Sequence, residues 1–178
     1  MYDFVTNYLE YRFVRDYNSI EQLPEYAAAT RHGDCGIQAL LFITMCRIAG
    51  IPARWQSGLS ARPGSVGEHD WAEFYVPGTG WVYADLSAGC DAAMYGDEAK
   101  HNFYFGNQDP FRIPINNAFQ ENFVPPMRYW RSDPYDNQCG EIEDAQHSLH
   151  SRELDYRYIE IDIHRIQEGA LDLSTERI

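Results

Sequence analysis

The stretch from Arg31 to Gly50 constrains the fold of this chain more than any other. Ile37, Leu40, Leu41, Thr44, Met45 and Ile48 recur at three- and four-residue spacing, the period of a helix with one face turned inward. Asp34 stands where an N-cap belongs, and Gly50 and Pro52 supply the stop, so a buried helix is expected to begin at Cys35. A cysteine in a first helical turn lies among unpaired backbone N–H groups at the positive end of the macrodipole. That setting favours the thiolate and suits a nucleophile. Cys35 fits equally well as a small apolar side chain tucked under a cap. Gly33 and Gly36 beside it are expected to leave room for a substrate backbone.

With 178 residues the chain has the length of one domain and can bury a real core. It is expected to form a single domain with a core over 2–87, an irregular extension over 88–152 and a C-terminal strand near 156–164. Its apolar runs fall short of the roughly 20 residues a membrane-spanning helix requires. A net charge of −13 opposes binding to nucleic acid or anionic membrane and favours neutral or basic partners. Met1 to Val5 show neither the basic nor the apolar region of a signal peptide, so the expectation is a cytoplasmic chain or an exported one whose leader has been removed. Cys35, Cys46, Cys90 and Cys139 form no C-x-x-C pair, which argues against structural zinc. Cys46 reads as core. Cys90 and Cys139 lie in loop-like sequence and would pair only in an exported chain.

In chain order, Tyr2 to Tyr17 read as a surface helix whose second half could be extended. The capping-box spacing from Ser19 to Gln22 starts a second short helix. Ala53 to Gly58 read as a strand and Ser60 to Gly67 as a loop. His69 to Val76 alternate, with His69, Trp71, Glu73 and Tyr75 on one side and Asp70, Ala72, Phe74 and Val76 on the other. Pro77 to Gly80 turn the chain and Trp81 to Asp85 return it. His69 and Asp85 each stand eight residues from Pro77. Folding about that turn therefore brings imidazole and carboxylate within hydrogen-bonding reach.

Leu86 to Arg152 lack sustained helical periodicity but are rich in aromatics, which points to an ordered, irregular excursion over the core rather than disorder. Tyr156 to His164 alternate as a half-buried strand, and the tail after Gln167 reads as short and mobile. Glycine-rich nucleotide loops, His-Glu-x-x-His and the twelve-residue calcium loop have no counterpart here, so no cofactor is expected.

Cys35, His69 and Asp85 together supply nucleophile, general base and orienting carboxylate, the three roles of covalent acyl transfer. Gly33-Asp34-Cys35 opening a helix, Ala49-Gly50-Ile51-Pro52-Ala53-Arg54, His69-x-Trp71-x-Glu73 and Gly80-Trp81-Val82-x-x-Asp85 resemble, in order and spacing, the successive motifs of the transglutaminase-like superfamily. The resemblance covers residues 2 to 87. It implies an α+β, papain-like core in which the cysteine helix packs on an antiparallel sheet. It also implies a Cys35–His69–Asp85 triad acting through a thioester on a protein or peptide substrate, by hydrolysis or by transfer to an amine. Arg54 and Trp71 match positions that look structural, and Phe103 to Glu141 resemble an extension of some bacterial members. His69 is followed by Asp70, and Asp85 by Leu86, where the family commonly has a small residue and a proline. Gln38, Trp55, Tyr8 and Tyr11 are the candidates for a side chain completing an oxyanion hole. The competing readings are a non-catalytic module that grips a peptide or glycan through its aromatic excursion, and a metal site at Cys35, His69 and Cys90.

Overall fold

The structure, a computed structural model, describes residues 1–15, 17–131, 135, 138, 141–150, 153, 162–163, 166–167, 170–171 and 176–177. Helix α1 (Tyr2–Tyr8) ends well before Tyr17, and β1 (Glu10–Tyr11) runs parallel to β2 (His32–Gly33). Between them lie a 3₁₀ turn at Tyr17–Ser19 and α2 (Leu23–Thr30). The helix expected from Ser19 therefore starts later, with Pro24 in its first turn, where a missing N–H leaves no bond unmade. Next comes α3 (Cys35–Ile48), capped by Asp34, whose Oδ1 accepts the Ile37 N–H at 3.2 Å.

Strands β3 (Ala53–Arg62), β4 (Ser65–Val76) and β5 (Gly80–Ala84) follow as two hairpins. The loop expected over 60–67 is a correction: both strands run on to a two-residue turn at Pro63–Gly64, with Gly64 at a φ of +75°. Its Gly, Ser and Pro content marks only that turn. The chain continues into α4 (Leu86–Met94), α5 (Glu98–Phe103), β6 (Phe105–Gly106) and β7 (Arg112–Asn116). The extension is thus less irregular than its composition suggests. Asp85 and Asp97 cap its two short helices, accepting the N–H groups of Ala88 and Lys100. Both helices are short, and α4 is also rich in Ala and Gly, so neither shows a clear period.

The result is an α+β architecture on a five-stranded antiparallel sheet of order β6-β5-β4-β3-β7. β7 is an edge strand, which tolerates Pro114 and its missing donor. It comes so close to β3 that a Cβ on Gly58 would lie 2.0 Å from the Ile113 carbonyl oxygen. Helix α3 packs on the face carrying Trp55, Ala72 and Phe74, with Phe42 edge-on to Phe74 at 5.8 Å. Because α1, α2 and α4 also touch it, α3 is buried on more than one side: Ala39, Phe42, Ile43 and Cys46 are buried while Ile48 stays out. Ile37 and Phe42 each contribute roughly 1.5–3 kcal/mol on burial. Farther on, β8 (Ile142–Glu143) pairs with β9 (Ser148–Leu149). Most of the strand expected at 156–164 lies outside the described residues; Asp162–Ile163 pair antiparallel with Glu176–Arg177. Among the described residues no helix is long and apolar enough to cross a membrane.

Candidate active site

Asp34 organises the start of α3. Buried to 4% exposure, its carboxylate accepts hydrogen bonds from the Ile37 N–H, the Val14 N–H at 3.1 Å and the Tyr17 hydroxyl. The loop before α2 is thereby tied to the helix that presents Cys35. The space at Gly36 is not free for a substrate: a Cβ there would meet the Tyr17 hydroxyl at 2.6 Å, Asp70 Oδ2 at 3.0 Å and the Trp55 ring at 3.0 Å. Gly33 is likewise closed, since a Cβ on it would stand 2.6 Å from the Ile37 side chain. Both glycines admit the protein's own packing.

The Cys35 thiol donates its hydrogen bond to Asp70 Oδ2 at 3.4 Å and not to His69. Burial, then the nearby carboxylates of Asp70 and Asp34, push the thiol well above its ordinary range, although the Asp70 backbone N–H pulls the other way. The helix terminus alone favours a thiolate; burial and two anions outweigh it. Asp70 is itself held from its far side, where the Gln138 amide donates to Oδ1 and also to the His69 carbonyl at 3.0 Å. An Asp70→Asn variant should lower the thiol's pKa and speed iodoacetamide alkylation of Cys35 on the order of tenfold at pH 7.5, read by mass spectrometry. An unchanged or slower rate would mean that the carboxylate does not restrain the thiol.

His69 and Asp85 do meet. Nε2 of His69 lies 2.8 Å from Asp85 Oδ2. In the register of the hairpin Ala72 faces Ala84, so Asp85 is diagonal to His69 rather than directly opposite, still within side-chain reach. Strand alternation sets the His69 ring on the same side as Trp71, 5.9 Å away between ring centres, and turns Asp70 toward α3. Asp85 is fully buried. Burial alone would raise its pKa, but His69 and then Arg112 hold the carboxyl well below the usual carboxylate range. Its Oδ1 caps α4 through the Ala88 N–H at 3.0 Å. The structure thus brings His69 and Asp85 together, while the Cys35 thiol at the start of α3 is bonded to Asp70, the next residue after His69 on β4.

Arg54 and Trp71 act as frame. Arg54 pairs with Glu73 at 2.7 Å under the Trp81 ring, and Trp71 donates to Gln56 Oε1 at 2.6 Å. Of the oxyanion candidates, Gln38 is occupied at both ends: it donates to the Gly33 carbonyl at 2.9 Å and accepts from the Cys90 thiol at 3.2 Å. Tyr8 donates to the Ala28 carbonyl at 2.9 Å. Among the described residues the buried Trp55 indole N–H has no hydrogen-bond partner, and its ring packs on Phe119 at 5.0 Å. The Tyr11 phenol is pushed up to about 12 by burial and then by Cys35, Asp34 and Asp70, so its hydroxyl lies in the field of the thiol.

Cys90 corrects a loop expectation: it lies inside α4 as a buried free thiol, while Cys139 is outside the described residues. A cleft of about 700 Å³ opens between α1, α4 and the sheet, with Tyr11, Ser60, His69, Ser87 and Arg112 in its wall. Among the described residues no three His, Cys, Asp or Glu side chains gather as metal ligands. Two contributors escaped the sequence reading: Arg112 and Gln138 are brought in from far along the chain by β7 and by the segment after it, and no local spacing marks either.

The comparisons agree with the motifs. The model of the transglutaminase-like superfamily matches residues 1–86. An uncharacterised Bacillus subtilis protein, YebA, is 29% identical over 86 residues, 40% of this chain and 12% of that protein. The crystal structure of a candidate cysteine protease from Cytophaga hutchinsonii is 27% identical, with a TM-score of 0.41 over 48% of this chain and 29% of that one. The chain thus spans only a small part of the length of these relatives. Over residues 1–86, just under half of its length, the chain is similar to the transglutaminase-like superfamily.

Proposed function

We propose that the chain is a cysteine-dependent amide-bond enzyme in which Cys35 attacks a carbonyl carbon of a protein or peptide substrate. The thiol proton passes to His69 as the C–S bond forms; His69 returns it to the leaving amine as the C–N bond breaks, leaving a thioester. Water or a second amine then takes the acyl group and regenerates the thiol. Asp85 holds the imidazole by its Nε2 edge, leaving Nδ1 for the transferred proton. The observation that carries this reading is the 2.8 Å His69–Asp85 hydrogen bond, made one residue from the Asp70 that holds the thiol. Attack requires the thiol to exchange Asp70 for His69. The cleft beside His69 offers a place for the leaving or accepting amine.

A second reading, a non-catalytic peptide- or glycan-binding module on the same core, draws on the bond from the thiol to Asp70 and the restrained acidity of Cys35. One experiment separates the two. The purified chain is incubated with a glutaminyl peptide, with and without a primary amine, and products and protein are weighed by mass spectrometry. Catalysis yields an acyl adduct on Cys35 and either free acid or an amide product; the free acid marks a hydrolase and the amide a transferase. A folded chain that forms neither adduct nor product supports the binding module.

A further inference from the structure

Asp85 does not serve His69 alone. The same oxygen, Oδ2, that faces His69 accepts from Arg112 Nη2 at 2.8 Å and from Nε at 3.3 Å. Arg112 is itself nearly sealed from solvent, its side chain 4% exposed. Its remaining nitrogen, Nη1, donates to the Ser60 hydroxyl at 3.0 Å and lies 3.3 Å from Asp109 Oδ2. Asp109 in turn pairs with Arg62 at 3.1 Å and accepts from the Tyr104 hydroxyl at 2.7 Å. Charges alternate along this line: Arg62, Asp109, Arg112, Asp85 and then the imidazole. The four permanent ions sum to zero, so the row is electrically balanced when His69 is neutral.

Resting on the catalytic reading of His69 and Asp85, we infer that Arg112 is a positioning residue of that pair: by sharing Asp85 Oδ2 it keeps the carboxylate anionic whatever the charge on His69, and it weakens the grip of Asp85 on the imidazolium. A buried carboxylate whose sole partner is an imidazole holds that ring protonated, because losing the ring's charge leaves the anion uncompensated. With a guanidinium already on the same oxygen, His69 can release its proton to a leaving amine without stranding Asp85. Arg112 comes from outside residues 1–86, the segment matched to the superfamily, so the extension supplies part of the electrostatics of the site.

The other titratable groups near the pair do not take over this role. Tyr2 from α1 and Cys90 from α4 face Asp85; burial and then that carboxylate push both up, Cys90 to about 12, so both stay neutral. Glu10, Tyr11, Asp91 and Lys100 share the cleft with His69, the last two paired with each other, and Asp70 follows it on β4 bound to Cys35 and Gln138.

The test is a pH titration of the His69 ring in the full chain by NMR, assigned with His69→Gln. Arg112→Gln should move the titration midpoint up by about one pH unit. Arg112→Lys, which keeps the charge but not the fork, should fall between wild type and Arg112→Gln. Asp109→Asn leaves Asp85 the only carboxylate paired with Arg112 among the described residues and should move the midpoint down. Opposite movements in the two variants are the signature, because general damage to the fold would not give opposite signs. A folded Arg112→Gln with an unmoved midpoint overturns the proposal; if that variant does not fold, an unmoved midpoint in Asp109→Asn overturns it instead. Alkylation of Cys35 is followed in parallel. An inert Cys35 with shifting midpoints defeats catalysis but supports Arg112; a reactive Cys35 with fixed midpoints defeats Arg112 alone.

Discussion

Replacing His69 with alanine will slow cleavage of an amide substrate by about 10³-fold, while cleavage of an activated aryl ester of the same acyl group will fall much less. The two substrates differ in what they ask of the imidazole. An amine leaves only when protonated, whereas a nitrophenolate leaves without help, so the ester needs His69 only to take the thiol proton and dispenses with it as an acid. His69 is well placed to be that acid: it faces the cleft, bears on Asp85 at 2.8 Å, and its neighbour on β4 holds the thiol. Steady-state rates on both substrates, with circular dichroism to verify the fold, decide the matter. Equal losses on amide and ester would leave His69 no more than the acceptor of the thiol proton and remove the general acid from the scheme.

Replacing Asp85 with alanine will cost about 3–5 kcal/mol of folding stability, measured by urea unfolding, because it takes from a buried guanidinium the carboxylate that holds two of its three nitrogens. Arg112 would lose its Nη2 and Nε partner inside the protein, α4 would lose its N-terminal cap, and Ser87 would lose an acceptor at 3.3 Å. Asp85→Asn retains the shape and some of these bonds, so it should unfold later than the alanine variant while showing the same catalytic defect through a misoriented imidazole. The acid side carries a sign as well. Asp85 titrates below its ordinary value of 3.8 in the folded chain, so its stabilisation is complete above that pH and is lost as the pH falls below it. The asparagine variant should lack that part of the acid transition. If alanine costs less than about 1 kcal/mol, the ion pairs at Asp85 are not holding the fold together.

What could be read from the residues alone was what depends on neighbours in sequence. Asp34 caps the helix that its own position announces, and the hairpin from His69 to Asp85 follows from alternation around a turn of Pro and Gly. The fold class and the His69–Asp85 pairing rest on those local rules. Arg112 lies 27 residues beyond Asp85 and reaches it because β7 adds to the far edge of β3, a pairing that no window of residues encodes. Asp70 stood out as a departure from the family pattern, but its bond to Cys35 depends on how α3 sits over β4. The glycines misled for a related reason: Gly36 reads as open space until Tyr17, Asp70 and Trp55 are seen to converge on it. In the same way α4 was hidden because its contacts with α1 and α3 are tertiary, while its own residues, Ala and Gly among them, carry little pattern.

The bond from Cys35 to Asp70 also bears on how the protein survives oxidants. Peroxide attacks thiolates, so a sulfur kept protonated by a neighbouring carboxylate is slow to become a sulfenic acid. Cys46 and Cys90 are shielded by burial, and Cys90 is also disfavoured as an anion. Cys35 therefore rests in its least oxidisable form, and in the proposed mechanism it would become a reactive anion only as its proton passes to His69, which would confine the vulnerable state to the duration of turnover.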